Sequence, residues 1–474
     1  MPGLLLTGSR MLTGTEIKMD KNLILKYNRP GPRYTSYPPA NHFAGDFTTD
    51  DYKECITLSN AMSPENISIY IHVPYCPRLC HFCGCSTTLL TNADSTGQYF
   101  EALLKEIENV TALLDKSRQV TQVHLGGGTP NSVPLKYIER IIKSLKLKLD
   151  FHPDAEIAME CSPAYLSFND IDNLSEIGFN RISLGIQDFD IKVLRAVNRK
   201  PSKHDVRELV NIIRTRGFKG VNIDLIYGLP HQNSESFAKT INKVLEIGPD
   251  RLVTFSYAHV PWIKSAQKKL EDIGLPEPGE KLEMFAIAYE MLTGSGYVPI
   301  GMDHYAKSDD ELAIALKNKT LHRNFQGYCT KESTGQVYAF GSTAISQLYN
   351  CYAQNVKDNE TYIRKIHESG FATERGYIMN SEELMTGKVI NEIMCNGFVD
   401  FVEIGKSFGK SAGDVKQVIG YDPVKLQPFI DDELLEVKGS KLQVSLKGML
   451  VVRNIAMTMD PLLELKEKKF SKTI

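Results

Sequence analysis

Four cysteines lie within ten residues of one another, in the segment Tyr70–Cys85. Three residues separate Cys76 from Cys80, two separate Cys80 from Cys83, and one separates Cys83 from Cys85. Three thiolates on a short loop can hold three irons of a [4Fe–4S] cluster, since soft thiolate ligands suit iron–sulfur chemistry. The fourth iron then needs an outside ligand, which the amino and carboxylate groups of S-adenosylmethionine (SAM) can supply. The spacing therefore predicts a [4Fe–4S] cluster on Cys76, Cys80 and Cys83, with SAM at its open iron.

Clustered cysteines also occur in structural zinc sites and in disulfides. A structural zinc site usually brings two ligand pairs separated by about a dozen or more residues. Here the cysteines are contiguous and no second pair follows, so a zinc site would have to include Cys85 or His81. The aromatic residue Phe82, directly before the third cysteine, adds to the iron–sulfur pattern. The spacing favours the cluster over both alternatives.

The composition limits the class of protein. The 474 residues carry 55 Lys and Arg against 57 Asp and Glu, a net charge of −2, which argues against nucleic acid or a membrane surface as the partner. No apolar run approaches the roughly 20 residues of a membrane-spanning helix. Nine cysteines, four of them clustered, predict a reducing cytoplasm rather than a secreted disulfide scaffold. The length predicts two or three domains, and residues 1–21 are expected to be a disordered extension.

Short β-branched segments alternate with amphipathic helical segments from about residue 66. Helical patterns at about 97–116, 134–147, 168–177, 203–216 and 234–247 separate the predicted strands, which are Ile67–Val73, Thr121–Leu125, Ala155–Glu160, Arg181–Ile186, Gly220–Tyr227 and Arg251–Tyr257. Strand–helix–strand units of this spacing predict a parallel sheet. Six consecutive units without a nucleotide-binding glycine fingerprint favour a barrel or partial barrel over an open doubly wound sheet. The pattern leaves the closure of the barrel open.

The chain changes character after the sixth unit. A further helix is predicted at 278–294, and extra strands at Gly296–Met302 and Gln336–Phe340. After about residue 375, helical segments near 382–396, 400–408 and 411–419 precede a small hairpin around Gly439. This pattern predicts a separate, partly helical C-terminal domain.

Polar residues and glycines stand where the predicted strands end. They are Gly126–Gly128 and Thr129 after the second strand, Glu160 at the third, Gln187 and Asp188 at the fourth, Asp224 in the fifth, and Tyr257–His259 at the sixth. Taken singly, each could be a capped or tight turn. Functional groups of parallel barrels gather at the carboxyl ends of the strands. Taken together, these residues therefore predict a single site at that end of the barrel. Glycines there let a ligand approach the backbone closely.

The stretch Lys26–Ala40 holds four prolines, three tyrosines and two arginines. Its proline density excludes a continuous helix. One interpretation is a solvated linker. The other is an arm lying across a site, with Arg29 and Arg33 as ligands for an anion.

With these motifs in place, the chain from about Leu25 to its end resembles the oxygen-independent coproporphyrinogen III oxidases, a radical SAM family. The resemblance is carried by Tyr27–Pro38, Cys76–Cys85, Gly126–Pro130, Gly185–Phe189, Asn222–Pro230, Gly301–Tyr305 with Asp309–Leu312, and His322–Tyr328. It implies an incomplete (β/α)6 barrel with an N-terminal arm and a smaller, mainly helical C-terminal domain. The expected bounds are residues 22–60 for the arm, 61–372 for the barrel and 373–474 for the C-terminal domain. The implied activity is oxidative decarboxylation of two propionates of coproporphyrinogen III to vinyl groups.

The resemblance also implies roles for particular residues. Two SAM molecules are expected. The cluster-bound one would be held by Tyr70, Gly127, Glu160 and Ile345, and the second by Phe82, Gly128, Thr129, Gln187, Arg199, Asp224 and Ala258. Cys85 is expected to stand near the reaction without binding iron, and Tyr70 is also a catalytic candidate. Since the substrate carries four carboxylates, the candidate substrate ligands are Arg29, Arg33, His259, His304 and Arg323.

Two kinds of relative share the three-cysteine loop, namely haem chaperones and haem-degrading enzymes. They generally lack the fourth cysteine and the arm, whereas this chain has both, as Cys85 and Pro30–Pro38. The resemblance therefore favours the oxidases. It implies coproporphyrinogen III as substrate, a reductant such as flavodoxin or ferredoxin, no nucleic-acid or membrane partner, and a monomer.

Overall fold

The computed structural model describes residues 20–330 and 335–463, so nearly all of the predicted extension lies outside the described residues. The strands are β1 (Ile67–Val73), β2 (Tyr75–Cys76), β3 (Thr88–Leu89), β4 (Gln119–Gly127), β5 (Asp150–Cys161), β6 (Arg181–Gln187), β7 (Gly220–Tyr227), β8 (Arg251–Ser256), β9 (Val298–Gly301), β10 (His304–Ala306), β11 (Leu321–Asn324), β12 (Gly327–Thr330), β13 (Gln336–Phe340), β14 (Ile345–Gln347), β15 (Cys351–Asn355), β16 (Thr373–Ile378), β17 (Phe398–Asp400), β18 (Leu435–Lys438) and β19 (Lys441–Val444). The α-helices are α1 (Lys21–Tyr27), α2 (Thr49–Asn60), α3 (Ala93–Thr111), α4 (Leu135–Lys148), α5 (Phe168–Ile177), α6 (Ile191–Ala196), α7 (Val206–Thr215), α8 (Ser234–Ile247), α9 (Lys268–Ile273), α10 (Pro278–Gly294), α11 (Glu311–Lys317), α12 (Asn359–Ser369), α13 (Ser381–Asn396), α14 (Phe401–Ser407), α15 (Ala412–Val418), α16 (Pro423–Asp431), α17 (Leu446–Met449) and α18 (Val452–Met457).

Six parallel strands form the centre of the molecule. β1, β4, β5, β6, β7 and β8 pair in this order, each parallel to the next. Their β-branched and leucine side chains, such as Ile69, Val123 and Ile223, are fully buried between the sheet and the connecting helices. The predicted βαβ units and the incomplete (β/α)6 barrel are confirmed.

The sheet continues beyond the six units on both sides. β13 pairs parallel with β1, and β14, β15 and β16 follow it antiparallel, while β10 and β9 add antiparallel strands beside β8. The twelve strands end at β16 on one side and β9 on the other, and no pairing within the described ranges joins these two ends. β16 begins at residue 373, where the sequence placed the start of the C-terminal domain.

Local sequence signals set the helix ends near the site. Ser167 and Asn233 cap α5 and α8 with capping boxes, and Gly178 (φ 106°) and Gly248 (φ 64°) end them in the left-handed conformation. These short connections return each helix to the next strand and keep the strand ends aligned. Among the described helices none is both long enough and apolar enough to span a membrane.

A second hydrophobic core lies in the C-terminal part of the chain. It gathers buried side chains from α13 to α18 and from the small sheet β17–β19–β18, among them Val389, Phe401 and Ile455. Three tyrosines of the N-terminal segment, Tyr27, Tyr34 and Tyr37, belong to this same core. The predicted hairpin is present as β18 and β19.

The proline-rich segment contains no helix from Asn28 to Pro39. It connects α1 with a short 3-10 turn at Ala40–His42. The hydroxyls of Tyr34 and Tyr37 both donate to Asp460, at 2.8 and 3.1 Å. This stretch, hereafter the arm, is therefore fastened to the C-terminal core rather than solvated as a linker.

Candidate active site

The four cysteines follow β1 directly and line a cavity at the carboxyl ends of the parallel strands. The residues around this cavity, hereafter the cysteine cavity, come from five successive strand ends and their loops. They include Cys76, Cys80, Phe82, Cys83, Cys85, Gly127, Gly128, Thr129, Glu160, Gln187, Arg199 and Asp224. The structure thus brings together twelve of the predicted site residues in one place.

The cysteine loop is fastened to the neighbouring strand end by main-chain bonds. The Gly128 amide donates to Val73 O at 2.8 Å, and the Thr129 amide donates to Tyr75 O at 2.8 Å. A Cβ on Gly128 would lie 2.7 Å from Tyr75 O, so only glycine allows this approach. The Thr129 hydroxyl also donates to Cys76 Sγ at 3.3 Å. The glycine-rich segment therefore sets the position of the first cysteine.

The thiols differ in their surroundings. Burial raises the pKa of Cys76 to about 11, whereas a hydrogen bond from Cys85 lowers the pKa of Cys83 to about 6. Arg199 donates to Cys80 Sγ at 3.6 Å and also to the carbonyl of Gly185. Cys85 thus contacts Cys83, the third cysteine of the loop, and is itself exposed to solvent.

Glu160 is held as a charged group at the end of β5. Its carboxylate lies 3.1 Å from His124 Nε2 and accepts from the Gly127 amide at 3.3 Å. Burial alone would raise its pKa, but the hydrogen bond and the charge of His124 outweigh burial and lower it. The pKa of His124 is raised by the same pair, despite its own burial. Glu160 is therefore an ionised hydrogen-bond acceptor in the wall of the cysteine cavity.

Gln187 and Asp224 supply further polar atoms. Gln187 has the left-handed φ of 71° at the end of β6, and its side-chain Oε1 is buried without a hydrogen-bond partner among the described residues. Asp224 accepts from Ser183 Oγ at 2.9 Å, and burial raises its pKa. By contrast Asp188, next to Gln187, points away and accepts from Gln232 and Thr240 behind the sheet. An unsatisfied buried acceptor in a cavity indicates that a donor from a ligand belongs there.

Other predicted site residues lie outside the lining of the cysteine cavity. Tyr70 stacks on His124 and contacts His72 Nδ1 at 3.2 Å through its hydroxyl, so it reaches the cavity through the His124–Glu160 pair. Ala258 shares Gln267 Nε2 with Phe82, since both carbonyls accept from it. Ile345 opens β14, two residues after Thr343, whose hydroxyl lies 3.5 Å from Ser86 Oγ beside the loop.

Three of the five predicted substrate ligands lie at or beside one second cavity. Arg33 lines a second cavity, hereafter the arm cavity, together with Tyr227, Ser256, Phe285, Met302, Asp303, Leu450, Val451, Arg453 and Asn454. His304 and Arg323 adjoin it: His304 Nδ1 lies 2.6 Å from Asp303, and Arg323 donates to Arg33 O at 2.8 Å. His259 instead pairs with Glu271 at 2.6 Å, and Arg29 lies exposed at the start of the arm.

Positive charge is crowded around the arm cavity. Arg453 is buried and donates to Gly31 O at 2.6 Å and to Pro32 O at 3.1 Å. Burial, with repulsion from Arg33 and Arg323, lowers the pKa of Arg453 to about 10. Burial alone would raise the pKa of Asp303, but the positive charges of His304, Arg323 and Arg33 lower it to about 2. Three arginines, Arg33, Arg323 and Arg453, thus lie around the carboxylate of Asp303.

The residues of the cysteine cavity fit the group predicted for it. Three thiols on one loop are the donor set of a [4Fe–4S] cluster with an open iron. Glu160 is an acceptor that matches ribose hydroxyl groups. The unsatisfied Gln187 Oε1 is an acceptor that matches an amino group, and Arg199 is a cation that matches a carboxylate.

Four polar residues at or beside the two cavities were missed by sequence reasoning. His124 stands within the second predicted strand, and Asp303 lies inside the quoted motif Gly301–Tyr305, so both had a local signal. Lys200 follows Arg199 at the rim of the cysteine cavity. Arg453 had no local signal, because its partners lie more than 400 residues earlier in the chain.

Comparison with known proteins gives three kinds of similarity. Residues 70–244 match the family model of the radical SAM superfamily. The chain is 41% identical over 462 residues to the oxygen-independent coproporphyrinogen III oxidase of Escherichia coli (strain K12), covering 97% of this chain and 99% of that protein. It is 38% identical to the protein of the same name from Synechocystis, over 97% of this chain and 98% of that one. The solved structure of coproporphyrinogen III oxidase (HemN) from Escherichia coli, described as a radical SAM enzyme, superposes with a TM-score of 0.87 at 39% identity, covering 94% of this chain and all of that one.

Proposed function

The chain belongs to the oxygen-independent coproporphyrinogen III oxidases, and we propose how its two cavities divide the work of that reaction. The enzyme is a radical SAM oxidoreductase of porphyrin biosynthesis. It converts two propionate side chains of coproporphyrinogen III to vinyl groups by oxidative decarboxylation, which gives protoporphyrinogen IX. The observation that carries the division is the pairing of a thiol-lined cavity with an arginine-lined one at the same end of the barrel.

The cofactors are a [4Fe–4S] cluster and SAM. Together they supply an oxidant strong enough to remove hydrogen from an unactivated CH₂, which no side chain can do. We assign Cys76, Cys80 and Cys83 to three irons. Cys85, which contacts Cys83 without completing the spacing, is assigned a role beside the substrate.

We further propose two SAM molecules in the cysteine cavity. Glu160, held ionised by His124, accepts from the ribose hydroxyls of the cluster-bound molecule, and Tyr70, Gly127 and Ile345 complete its surroundings. The unsatisfied Gln187 Oε1 and the guanidinium of Arg199 suit the amino and carboxylate groups of the second. The remaining contacts to that molecule are assigned to Phe82, Gly128, Thr129, Asp224 and Ala258.

The arm cavity is proposed to hold propionate groups of the substrate. Three arginines lie around the single described carboxylate Asp303, and the four carboxylates of coproporphyrinogen III complement this positive charge. Arg33, Arg323 and His304 are the direct candidates, whereas Arg29 and His259 lie outside the lining of the arm cavity. Binding there fixes a propionate CH₂ next to the cysteine cavity and excludes water, which positioning of this kind requires. Each propionate then loses one hydrogen atom, CO₂ and one electron.

The setting of the reaction is proposed from the cysteines and the charge. None of the nine cysteines, all within the described ranges, forms a disulfide, which suits a reducing cytoplasm. A flavodoxin or ferredoxin is the proposed reductant, and a monomer without nucleic-acid or membrane partners is the proposed active form.

The decisive experiment is anaerobic reconstitution of the cluster, followed by incubation with SAM, dithionite and coproporphyrinogen III. Protoporphyrinogen together with 5′-deoxyadenosine and methionine is the expected result, and Cys80→Ser is the matched inactive control. Cleavage of SAM that stays the same with and without the porphyrinogen, and yields no protoporphyrinogen, would contradict the proposed substrate.

A further inference from the structure

An exposed apolar pair lies beside the cysteine loop. Trp262, the single tryptophan of the chain, is 65% exposed, and Ile263 is 68% exposed. Leu79, inside the loop itself, is 41% exposed. We propose that Leu79, Trp262 and Ile263, hereafter the docking patch, bind an acidic protein that carries one electron to the cluster. This inference rests on the proposed function, because only a cluster-dependent reaction needs such a carrier.

The docking patch is coupled to the cysteine loop by hydrogen bonds. Lys264, directly after Ile263, donates to Cys85 O at 2.8 Å. Gln267, three residues further on, donates to Phe82 O at 3.0 Å. On the other flank Asn198 donates to Leu79 O at 2.8 Å. A protein seated on the patch therefore lies against the loop that holds the iron ligands.

Basic residues follow or adjoin the members of the docking patch along the chain and at the cavity rim. Arg78 and Lys200 are exposed at the rim of the cysteine cavity, Lys264 stands beside it, and Lys268 and Lys269 are exposed at the start of α9. The acidic groups on this segment are Glu271, which pairs with His259, and Asp272. Since the whole chain carries a net charge of −2, this excess of positive charge is local. Such a surface attracts a negatively charged partner and speeds its association.

The chemistry of the patch suits a transient protein partner. An exposed tryptophan with a neighbouring aliphatic side chain is the type of residue that dominates binding energy at interfaces, and a charged rim supplies orientation. Electron-transfer partners bind through small interfaces, so three apolar residues suffice as a centre. In the step itself the reduced carrier loses one electron and the oxidised cluster gains it, with no bond or proton changing place.

The test uses the reconstituted holoenzyme and two double variants. Trp262→Ser/Ile263→Ser removes the apolar centre, and Lys268→Glu/Lys269→Glu reverses the charge of the rim. Leu147→Ser is the matched control, because Leu147 is 86% exposed between Lys146 and Lys148 on α4, at the far end of β5 from the cysteine cavity. The probe is a flavodoxin of net negative charge. Its affinity is measured by calorimetry at low and high ionic strength, and turnover is measured with reduced flavodoxin and, separately, with dithionite.

Both double variants are expected to weaken flavodoxin binding by roughly tenfold, the effect of losing one interface anchor. Flavodoxin-driven turnover falls in proportion at limiting flavodoxin, while dithionite-driven turnover and the Leu147→Ser control stay at the wild-type level. High salt removes the difference between wild type and the charge-reversed variant. Unchanged affinity in both variants would overturn the inference. So would equal losses with both reductants, which would assign the patch to substrate binding.

The two proposals fail in different ways. A wild-type enzyme that binds flavodoxin at the patch but yields no protoporphyrinogen with dithionite would contradict the proposed function and leave the docking patch standing. Full turnover with dithionite and no measurable binding of flavodoxin would support the proposed function and contradict the docking patch.

Discussion

The cysteine cavity takes its lining from a continuous part of the chain, Cys76 to Asp224, whereas the arm cavity joins Arg33 to residues as distant as Asn454. The first is a row of strand ends in chain order, held by main-chain bonds between neighbouring loops. The second exists only because the arm packs on the C-terminal core. On the proposed assignment, the comparison teaches that the cofactor site is built into the barrel, while the substrate site depends on contacts between distant parts of the chain.

The largest effect is expected when an iron ligand of the cysteine cavity is removed. Cys80→Ser should lose the cluster and all measurable activity, because two thiolates do not hold the cubane with an open iron. Cys85→Ser is the matched variant and should retain the cluster. Iron content and visible absorbance of the reconstituted proteins measure both. Loss of iron in Cys85→Ser would show that the fourth cysteine is a ligand after all.

Removing one cation of the arm cavity should separate substrate binding from cofactor chemistry. Arg33→Ala should lower kcat/KM for coproporphyrinogen III by about 10- to 150-fold, the effect of about 1.5–3 kcal/mol for a charged hydrogen bond. Cleavage of SAM without substrate should remain near the wild-type rate. Arg207→Ala, at an exposed arginine of α7, serves as the control. Unchanged turnover of the porphyrinogen in Arg33→Ala would remove Arg33 from the substrate site.

Glu106, a buried carboxyl group outside both cavities, allows a test of how stability depends on pH. Glu106 accepts from the Gly341 amide, Asn355 and Tyr362, yet burial raises its pKa to about 7. The folded state therefore binds this proton more tightly than the unfolded state. Stability should fall as pH rises from about 4.5 to about 7, by about 3 kcal/mol from this group.

Urea unfolding of the apoprotein at pH 5 and pH 8 measures this slope. Glu106→Gln should be less stable at both values but should lose most of the pH dependence in this window. Arg33→Ala should keep it, since Arg33 lies in the arm cavity. An unchanged slope in Glu106→Gln would assign the pH dependence to another group.

The smallest effect is expected at the attachment of the arm. Tyr34→Phe removes one of the two hydroxyls that donate to Asp460, which should lower stability by about 1 kcal/mol. Limited proteolysis should then cut the arm faster, while iron content stays at the wild-type level. Equal proteolysis of the variant and the wild type would show that the Tyr34 hydroxyl does not help to hold the arm.

The same contrast explains how much could be predicted from the sequence. The strands, most helices and the cysteine loop were predictable because periodicity, caps and cysteine spacing are local signals. The cysteine cavity followed, since residues at the ends of parallel strands meet at one edge. Helix α1 was missed because the proline-rich stretch begins at its last turn.

The arm cavity could be predicted only in part. Arg33 and Arg323 were candidates by residue type, but nothing near Arg453 or Asp460 in the sequence reveals that they hold the arm. Their role arises from contacts more than 400 residues away, which no local pattern encodes. The antiparallel strands β14–β16 were missed for a related reason: they are short and find their partners only in the finished sheet.

The arm is gripped through its main chain: Arg453 and Arg323 bind the carbonyl oxygens of Gly31, Pro32 and Arg33. Those oxygens exist whatever side chains the three positions carry, so these contacts do not depend on side-chain identity, unlike the hydrogen bonds of Tyr34 and Tyr37 to Asp460. At Gly31 a Cβ would lie 2.5 Å from Met457 Sδ, so a larger residue there requires the flexible Met457 side chain to move. The arm thus combines positions held only through their main chain with tyrosine positions whose side chains are part of the C-terminal core. If the arm cavity holds the substrate as proposed, arms that keep Tyr34 and Tyr37 but differ at Arg33 are the place to alter which acid side chains the enzyme accepts.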